Sequence, residues 1–341
     1  LSDLTVLSRR SFIMMSVALA ACKPGAKILE FSGSTMGTTY NVVAVDASRS
    51  VDKIEAQARI NAALAQVNQQ MSNWDPASEI SRFNANKGTD ATFMSRELSH
   101  VMQAAQDVNT ASEGRFDTTM GPLIELWGFG APGGKRMPQD AEILAAQARS
   151  GHGATLKVGA GAMQKIQPET QVYLAAIGKG FGADQVGRAL EGLGLSDYMV
   201  EIGGDLYASG LNADGKPWQI GIEKPAALSG VLDVVGVSGM GLASSGDYRN
   251  YFEQDGARYS HVIDPVTGRP ITHKTASATV LAENAMLADA WATAMLILGR
   301  ERGLEIAKAN DLAVLFVERD EAASDLRFKT AASERFTALT A

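Results

Sequence analysis

Apolar positions early in the chain follow a helical period. Ile54, Ala58, Leu64 and Val67 recur at roughly helical spacing within residues 51–71, and the pattern stops at Asn73-Trp74-Asp75-Pro76, where proline and small polar side chains favour a turn. A helix followed by a loop is expected. Residues 95–112 read as a second helix, with a serine placed to cap it and an early Glu, and residues 139–149 read as a third. Short alternating or wholly apolar runs come next, at 172–177, 198–202, 218–222, 232–237, 277–281 and 313–317, and these are expected strands. Helical patterns lie between some of them, at 183–193, 285–298 and 302–309, while hairpin-like spacing links others. The simplest arrangement is an α+β fold with mostly antiparallel sheets and packed helices. No internal repeat or low-complexity tract interrupts it, and residues 321–341, rich in Ala, Ser and charge, read as a peripheral end.

Composition narrows the class. The chain has 341 residues, 45% of them hydrophobic and 20% charged, so it is a folded protein rather than a disordered chain or a fibre. That length admits two ordinary domains or one large α+β unit. Lys and Arg total 31 against 38 Asp and Glu, a formal charge of -7, and no basic block is interleaved with aromatics. Nucleic acid is therefore a poor partner. The 34 glycines cluster in GFGAPGG, GKGFG and EIGGD, which suits either backbone lying close to a ligand or ordinary tight turns.

The N-terminal stretch has a separate logic. Arg9 and Arg10 precede an apolar run from Phe12 to Ala21 that is too short to span a bilayer, the pattern of an export signal. Ser8-Arg9-Arg10-Ser11-Phe12-Ile13 also resembles the twin-arginine class. The run ends in Leu19-Ala20-Ala21-Cys22, similar to a bacterial lipobox, and Cys22 is the only cysteine. A single thiol in an exported chain can form no internal disulfide. Residues 1–22 are thus expected to be a signal peptide with Cys22 lipidated, 23–30 a linker, and 31–320 the folded domain. The expected location is the periplasmic face of the membrane, held through the lipid alone.

Three constellations could carry chemistry. In VYLAAIGKGFGADQVGRALEGLG, Gly178, Gly180 and Ala183 satisfy the loose dinucleotide pattern G-x-G-x-x-G/A, and Glu201 follows at a suitable distance, so a Rossmann-type NAD enzyme is one reading. Backbone N–H groups at a helix start, with Lys179 adding charge, suit a phosphate or pyrophosphate more generally. A solvated lysine on a turn is the plainer possibility. In NAMLADAWATAMLILG, Asp289 and Thr293 stand four apart on one helix face. Their oxygens suit Mg²⁺, which takes one or two protein carboxylates and fills its octahedron with phosphate and water, although a hydrogen-bonded polar pair in a core has the same spacing. The third stretch crowds Asp247, Arg249, His261, Asp264 and Arg269 around two hairpin-like turns. His261 is a candidate general base or phosphate contact, or else a structural histidine bonded to Asp264. No zinc spacing, C-x-x-C pair or G-x-S-x-G elbow is present.

With these segments in view, the chain resembles the ApbE family of FAD:protein FMN transferases, exported flavin-handling lipoproteins of bacteria. The blocks appear in family order: MGTTYNV, MSNWDPASEISRFN, GRFDTTMGPLIELWGFG, AAIGKGFGADQV, VEIGGDLYASG, SSGDYRNYF, YSHVIDPVTGRPI and AMLADAWATAMLILG. The resemblance implies a single ApbE-like, T-fold-related domain that binds FAD and Mg²⁺, splits the pyrophosphate with release of AMP, and joins FMN through a phosphoester to a Thr or Ser of an acceptor. Typical acceptors are flavin-carrying subunits of membrane electron-transport complexes. Position by position, it implies Met36 and Trp74 as isoalloxazine contacts and the block with Arg115, Phe116 and Asp117 as part of the cofactor cradle. Lys179 would face the pyrophosphate. The Ala176 carbonyl with the Asp289 and Thr293 side chains would hold Mg²⁺, Ile263 would line the flavin or adenosine pocket, and His261 would be base or phosphate contact. Two positions depart from the family. Tyr173, a nucleotide-contact position, stands where an Asp is frequent, and Arg115 replaces a small residue. A Mg²⁺-dependent FAD pyrophosphatase is the nearest alternative activity, and a non-catalytic FAD-binding lipoprotein is the alternative outside enzymes.

Overall fold

The computed structural model describes residues 26–130, 134–225, 230–248, 250–320 and 327–341. The export and lipidation pattern ending at Cys22 lies outside the described residues, as does Arg249.

The main sheet has eight strands whose order across the sheet is also their order in the chain. They are Lys27–Thr35, Thr38–Asp46, Tyr198–Ile202, Asp205–Ser209, Met240–Gly246, Thr275–Ala282, Ala313–Arg319 and Phe328–Ala332. Every neighbouring pair is antiparallel. Tight turns can therefore join neighbours directly: Met36-Gly37 closes the first pair with φ of 49° and 71°, and Gly203-Gly204 links Tyr198–Ile202 to Asp205–Ser209.

Long insertions between strands carry most of the helices. These are α1 (Lys53–Met71), α2 (Glu79–Ala85), α3 (Arg96–Ala111), α4 (Gly121–Leu126), α5 (Asp140–Gln147), α6 (Gly178–Glu191) and α7 (Ala285–Ala309), with α8 (Glu334–Thr340) closing the chain. Helix α1 starts where the Asp52 carboxylate accepts from the N–H groups of Ile54 and Glu55, and α3 starts under the Ser95 hydroxyl. Both caps satisfy donors that a helix start leaves free.

Alternation along the strands covers the sheet twice. Tyr198, Val200 and Ile202 pack against Ile60 and Leu64 of α1 and Val186 and Leu190 of α6. Met199 points the other way, into a core shared with Trp218, Ile220, Val235 and Phe336. A hairpin of Trp218–Glu223 and Val231–Val237 closes that second face. A third cluster, which includes residues of α3 and α7 with Phe181, completes the core beside α6. Among the described residues no helix is long and apolar enough to cross a membrane.

Several expectations need correction. Residues 172–177 are not a strand. Their backbone is held by side-chain amides: Val172 N–H donates to Asn84 Oδ1 (2.8 Å), its carbonyl accepts from Asn73 Nδ2 (2.7 Å), and Leu174 N–H donates to Asn73 Oδ1 (3.1 Å). Apolar content alone does not separate an extended buried segment from a strand, because the ladder partner is not encoded locally. Residues 27–30 belong to the first strand rather than to a linker. The C-terminal residues supply the far edge strand and bury Phe336. The two helical patterns at 285–298 and 302–309, by contrast, do meet as two helices, because Gly299 breaks the run between them with φ 70° and ψ 174°. The Rossmann reading fails on topology, since the glycine segment follows no strand and no neighbours in the main sheet run parallel.

Candidate functional site

The first turn of α7 lies directly on the first turn of α6. A Cβ on Gly180 would sit 2.1 Å from the Ala285 carbonyl oxygen, and one on Gly241 would sit 2.3 Å from the Asn284 carbonyl carbon. Only glycine allows this approach. The buried Asp184 fastens the contact by accepting from Ala285 N–H (2.8 Å) and Met286 N–H (3.0 Å), while Asn284 accepts from Leu287 N–H (2.8 Å). Three free donors of the α7 N-terminus are thereby satisfied, and a carboxylate meets the positive end of the helix dipole.

This packing brings three charges together. Asp289 on α7 accepts from Gly180 N–H (3.2 Å) and from the Lys179 ammonium (3.4 and 3.5 Å). Lys179 also donates to Asp205, at the start of the Asp205–Ser209 strand, in a shorter contact. Burial works against the ammonium, but the charges of Asp205 and then Asp289 outweigh it and raise its pKa above the usual lysine range. Asp205 is pushed up to about 7, first by burial and then by the Asp289 charge, with Lys179 opposing. Burial also pushes Asp184 up to about 6 against its two backbone donors. Thr293, one turn beyond Asp289, exchanges a hydrogen bond with Ser245 (3.1 Å). Asp289 bonds instead to Lys179 and Gly180, so the two side chains turn to different partners.

Ala176 precedes α6, where Gly178 N–H and Phe181 N–H donate to the carbonyls of Leu174 (2.8 Å) and Ile177 (3.1 Å). Asp289 and Thr293 offer hard oxygens with a single carboxylate, a chemistry that suits a Mg²⁺ completed by phosphate and water, while among the described residues no contact joins the Ala176 carbonyl to either side chain. Lys179 already stands against Asp289 as a cation of the chain's own, so the place accommodates positive charge. Among the described residues no three His, Cys, Asp or Glu side chains group as a metal cluster.

The remaining residues surround other parts of the fold. Met36 lies over α6, its Cε 2.7 Å from where a Gly182 Cβ would be. Trp74 is 75% exposed. It shares a cleft of about 350 Å³ with Tyr173, Asn73 and Asn84, and the Tyr173 ring lies where a Cβ on Gly121 would be, 2.3 Å from Cε2. The Tyr173 hydroxyl donates to Glu125 (2.8 Å). Arg115 reaches Asp264 (3.5 Å) and Phe116 is buried in the core. Asp117 accepts from the N–H and hydroxyl of Thr119 (2.7 and 2.6 Å). Ile263 is buried among Met120, Leu123 and Trp127. His261 pairs with Asn250, not Asp264: its Nδ1 is 3.0 Å from the Asn250 carbonyl, which can only accept, so Nδ1 carries the proton and Nε2 keeps a free lone pair. Burial lowers its pKa below the ordinary value of 6.5. No recorded contact joins His261 to Lys179 or Asp289.

Sequence reasoning missed Asp205, Asp184 and His152. Asp205 was visible only as the end of the EIGGD turn, and Asp184 as the residue after the glycine pattern. His152 is buried with its Nε2 2.6 Å from the Thr118 hydroxyl and 3.9 Å from Asp117. No local signal marked it.

The chain is similar to known proteins in both sequence and fold. A family model described as the ApbE family matches residues 36–316. A Vibrio cholerae protein called FAD:protein FMN transferase is 42% identical over 320 residues, spanning 93% of this chain and 94% of its own length. A Haemophilus influenzae protein of the same description is 42% identical over 336 residues, 96% of each. Among solved structures, the flavin transferase ApbE from Vibrio cholerae superposes with a TM-score of 0.83 at 40% identity, covering 92% of this chain and 99% of that one. The apo form of the flavinyl transferase ApbE from Pseudomonas stutzeri gives 0.83 at 37%, covering 92% and 97%.

Proposed function

The chain belongs to the ApbE family, and on that premise we propose that it is a FAD:protein FMN transferase. It splits FAD, attaches FMN by a phosphoester to a Thr or Ser of an acceptor protein, and releases AMP. The observation that carries this reading is the meeting of Asp289, Lys179 and Asp205 beside the abutting ends of α6 and α7, with Thr293 one turn along from Asp289. Asp289, Thr293 and the Ala176 carbonyl would hold Mg²⁺, which when bound neutralises phosphate charge as the bond to AMP breaks. Lys179 offsets further charge on the diphosphate. His261, neutral with Nε2 free, takes the proton of the acceptor hydroxyl. Trp74 and Met36 contact the flavin ring, Tyr173 and the segment with Arg115, Phe116 and Asp117 shape the nucleotide cradle, and Ile263 supports it from the core side. The acceptor is a flavin-carrying subunit of a membrane electron-transport complex. The export signal and Cys22 support a lipid-anchored enzyme at the periplasmic face.

Incubation of the mature chain with FAD, Mg²⁺ and a Thr-containing acceptor tests this, following AMP, free FMN and protein-bound flavin. Covalent flavin with equal AMP is expected. Free FMN alone would make the chain a pyrophosphatase, and intact FAD would make it a storage protein.

A further inference from the structure

Lys179 faces two buried carboxylates at once, and they come from different elements: Asp205 from a sheet strand and Asp289 from α7. The contacts are unequal. Lys179 lies closer to Asp205 than to Asp289, which it reaches at 3.4 Å. The two carboxylates have only 5% and 4% of their side-chain surface exposed, whereas the lysine keeps 28%. Two carboxylates around one ammonium leave negative charge uncompensated in a low-dielectric place, which attracts a further cation. An ammonium on the same carboxylate repels that cation, so the two compete for Asp289. A four-carbon stem lets the ammonium shift without moving α6.

We propose that Lys179 is a built-in counter-cation for Asp289 and that Asp205 is its positioning residue. In the cation-free chain the ammonium partly neutralises Asp289. When a divalent cation arrives, Lys179 withdraws from Asp289 while Asp205 keeps hold of it, leaving it charged and turned toward the diphosphate. Asp205 thus acts through Lys179 and touches no reacting atom. This inference rests on the reading of Asp289 and Thr293 as Mg²⁺ ligands.

The test is titration of Mg²⁺ alone, without FAD, into the mature full-length chain stripped of divalent cations. Binding is read by calorimetry, and thermal unfolding is followed with and without Mg²⁺. Lys179→Met should bind Mg²⁺ about tenfold more tightly, as removal of one neighbouring like charge allows. Its Tm without Mg²⁺ should fall, since two buried carboxylates lose their partner, and saturating Mg²⁺ should recover most of that loss. Asp205→Asn should bind Mg²⁺ several-fold more weakly, because the freed ammonium settles on Asp289, and Asp205→Glu should restore much of the affinity. Lys179→Gln serves for the same measurement if the methionine variant fails to fold. Unchanged or weaker Mg²⁺ binding in the lysine variants, or wild-type binding in Asp205→Asn, overturns the proposal. If Asp289→Ala binds Mg²⁺ as tightly as the wild type, the cation is held elsewhere and the underlying metal-site reading falls. The Lys179–Asp205 pair would then register only as a Tm loss that Mg²⁺ does not recover.

Discussion

The abutting ends of α6 and α7 and the hairpin stretch at 247–270 handle polar residues in opposite ways. At the helix ends, residues far apart in the chain converge: Lys179 meets Asp205 across 26 positions and Asp289 across 110. In the hairpins, residues close in the chain disperse. Asp247 pairs with Arg319 (2.5 Å), Asp264 with Arg115 (3.5 Å), Arg269 with Asp140 (2.6 Å), and His261 with the Asn250 carbonyl (3.0 Å). The cause is geometric. Asp247 and His261 sit in bends outside the strands, and the cross-strand neighbours Asp264 and Arg269 each turn to a partner from another part of the chain. Two helix starts pressed together instead direct their N–H groups and early side chains into one small volume. Polar crowding in a sequence is therefore weak evidence for a site, and glycines that let two backbones touch are stronger evidence.

That contrast can be broken most sharply at Asp289. Asp289→Ala should reduce Mg²⁺-dependent FAD turnover at least ~100-fold while leaving the fold, since Lys179 still has Asp205; full activity in initial-rate assays would remove the helix ends from the reaction. Gly180→Ala forces a Cβ to 2.1 Å from the Ala285 carbonyl, and denaturant unfolding should show a loss of about 3 kcal/mol as the helices part. A loss near zero would mean the contact is loose.

His261→Gln probes the other region. Flavin transfer should drop about 100-fold with calorimetric Mg²⁺ affinity unchanged. Because burial lowers the His261 pKa, its neutral form persists as the medium is acidified, so the acid limb of the wild-type pH–rate profile should lie below 6.5. An acid limb above that value would exclude His261 as the base. The smallest effect is on stability in the cation-free chain. Asp184 has its carboxyl raised from 3.8 to about 6. Between those values the folded chain therefore binds more protons than the unfolded one, and stability declines modestly as pH rises through that window. Asp184→Asn should flatten this part of the Tm–pH curve, and an unchanged slope would assign it to other groups.

Much of the fold was legible because amphipathic periods report burial directly. Helices α1, α3 and α5 and most core strands lie where their patterns place them. The hairpin of Lys27–Thr35 and Thr38–Asp46, and the strands Asp205–Ser209 and Met240–Gly246, carry mixed or short patterns that no local period marks. At the site, Asp289, Thr293 and Lys179 stood out because polar side chains on an apolar helix or in a glycine turn are anomalous where they occur. Asp205 and Asp184 did not, since an Asp beside glycines is ordinary turn chemistry until its partner is known.

The sequence by itself determined the class of element along most of the chain, the family, and the spacing that puts Asp289 and Thr293 one turn apart, because these depend on neighbours within a few residues. Tertiary structure alone decided that Gly180 would let α7 close onto α6 rather than form a Rossmann turn, that Lys179 would share its charge between two carboxylates, and that His261 would keep Nε2 free. Those outcomes depend on which distant backbones come into contact, and contact distance is set by packing the whole sheet and its helices together.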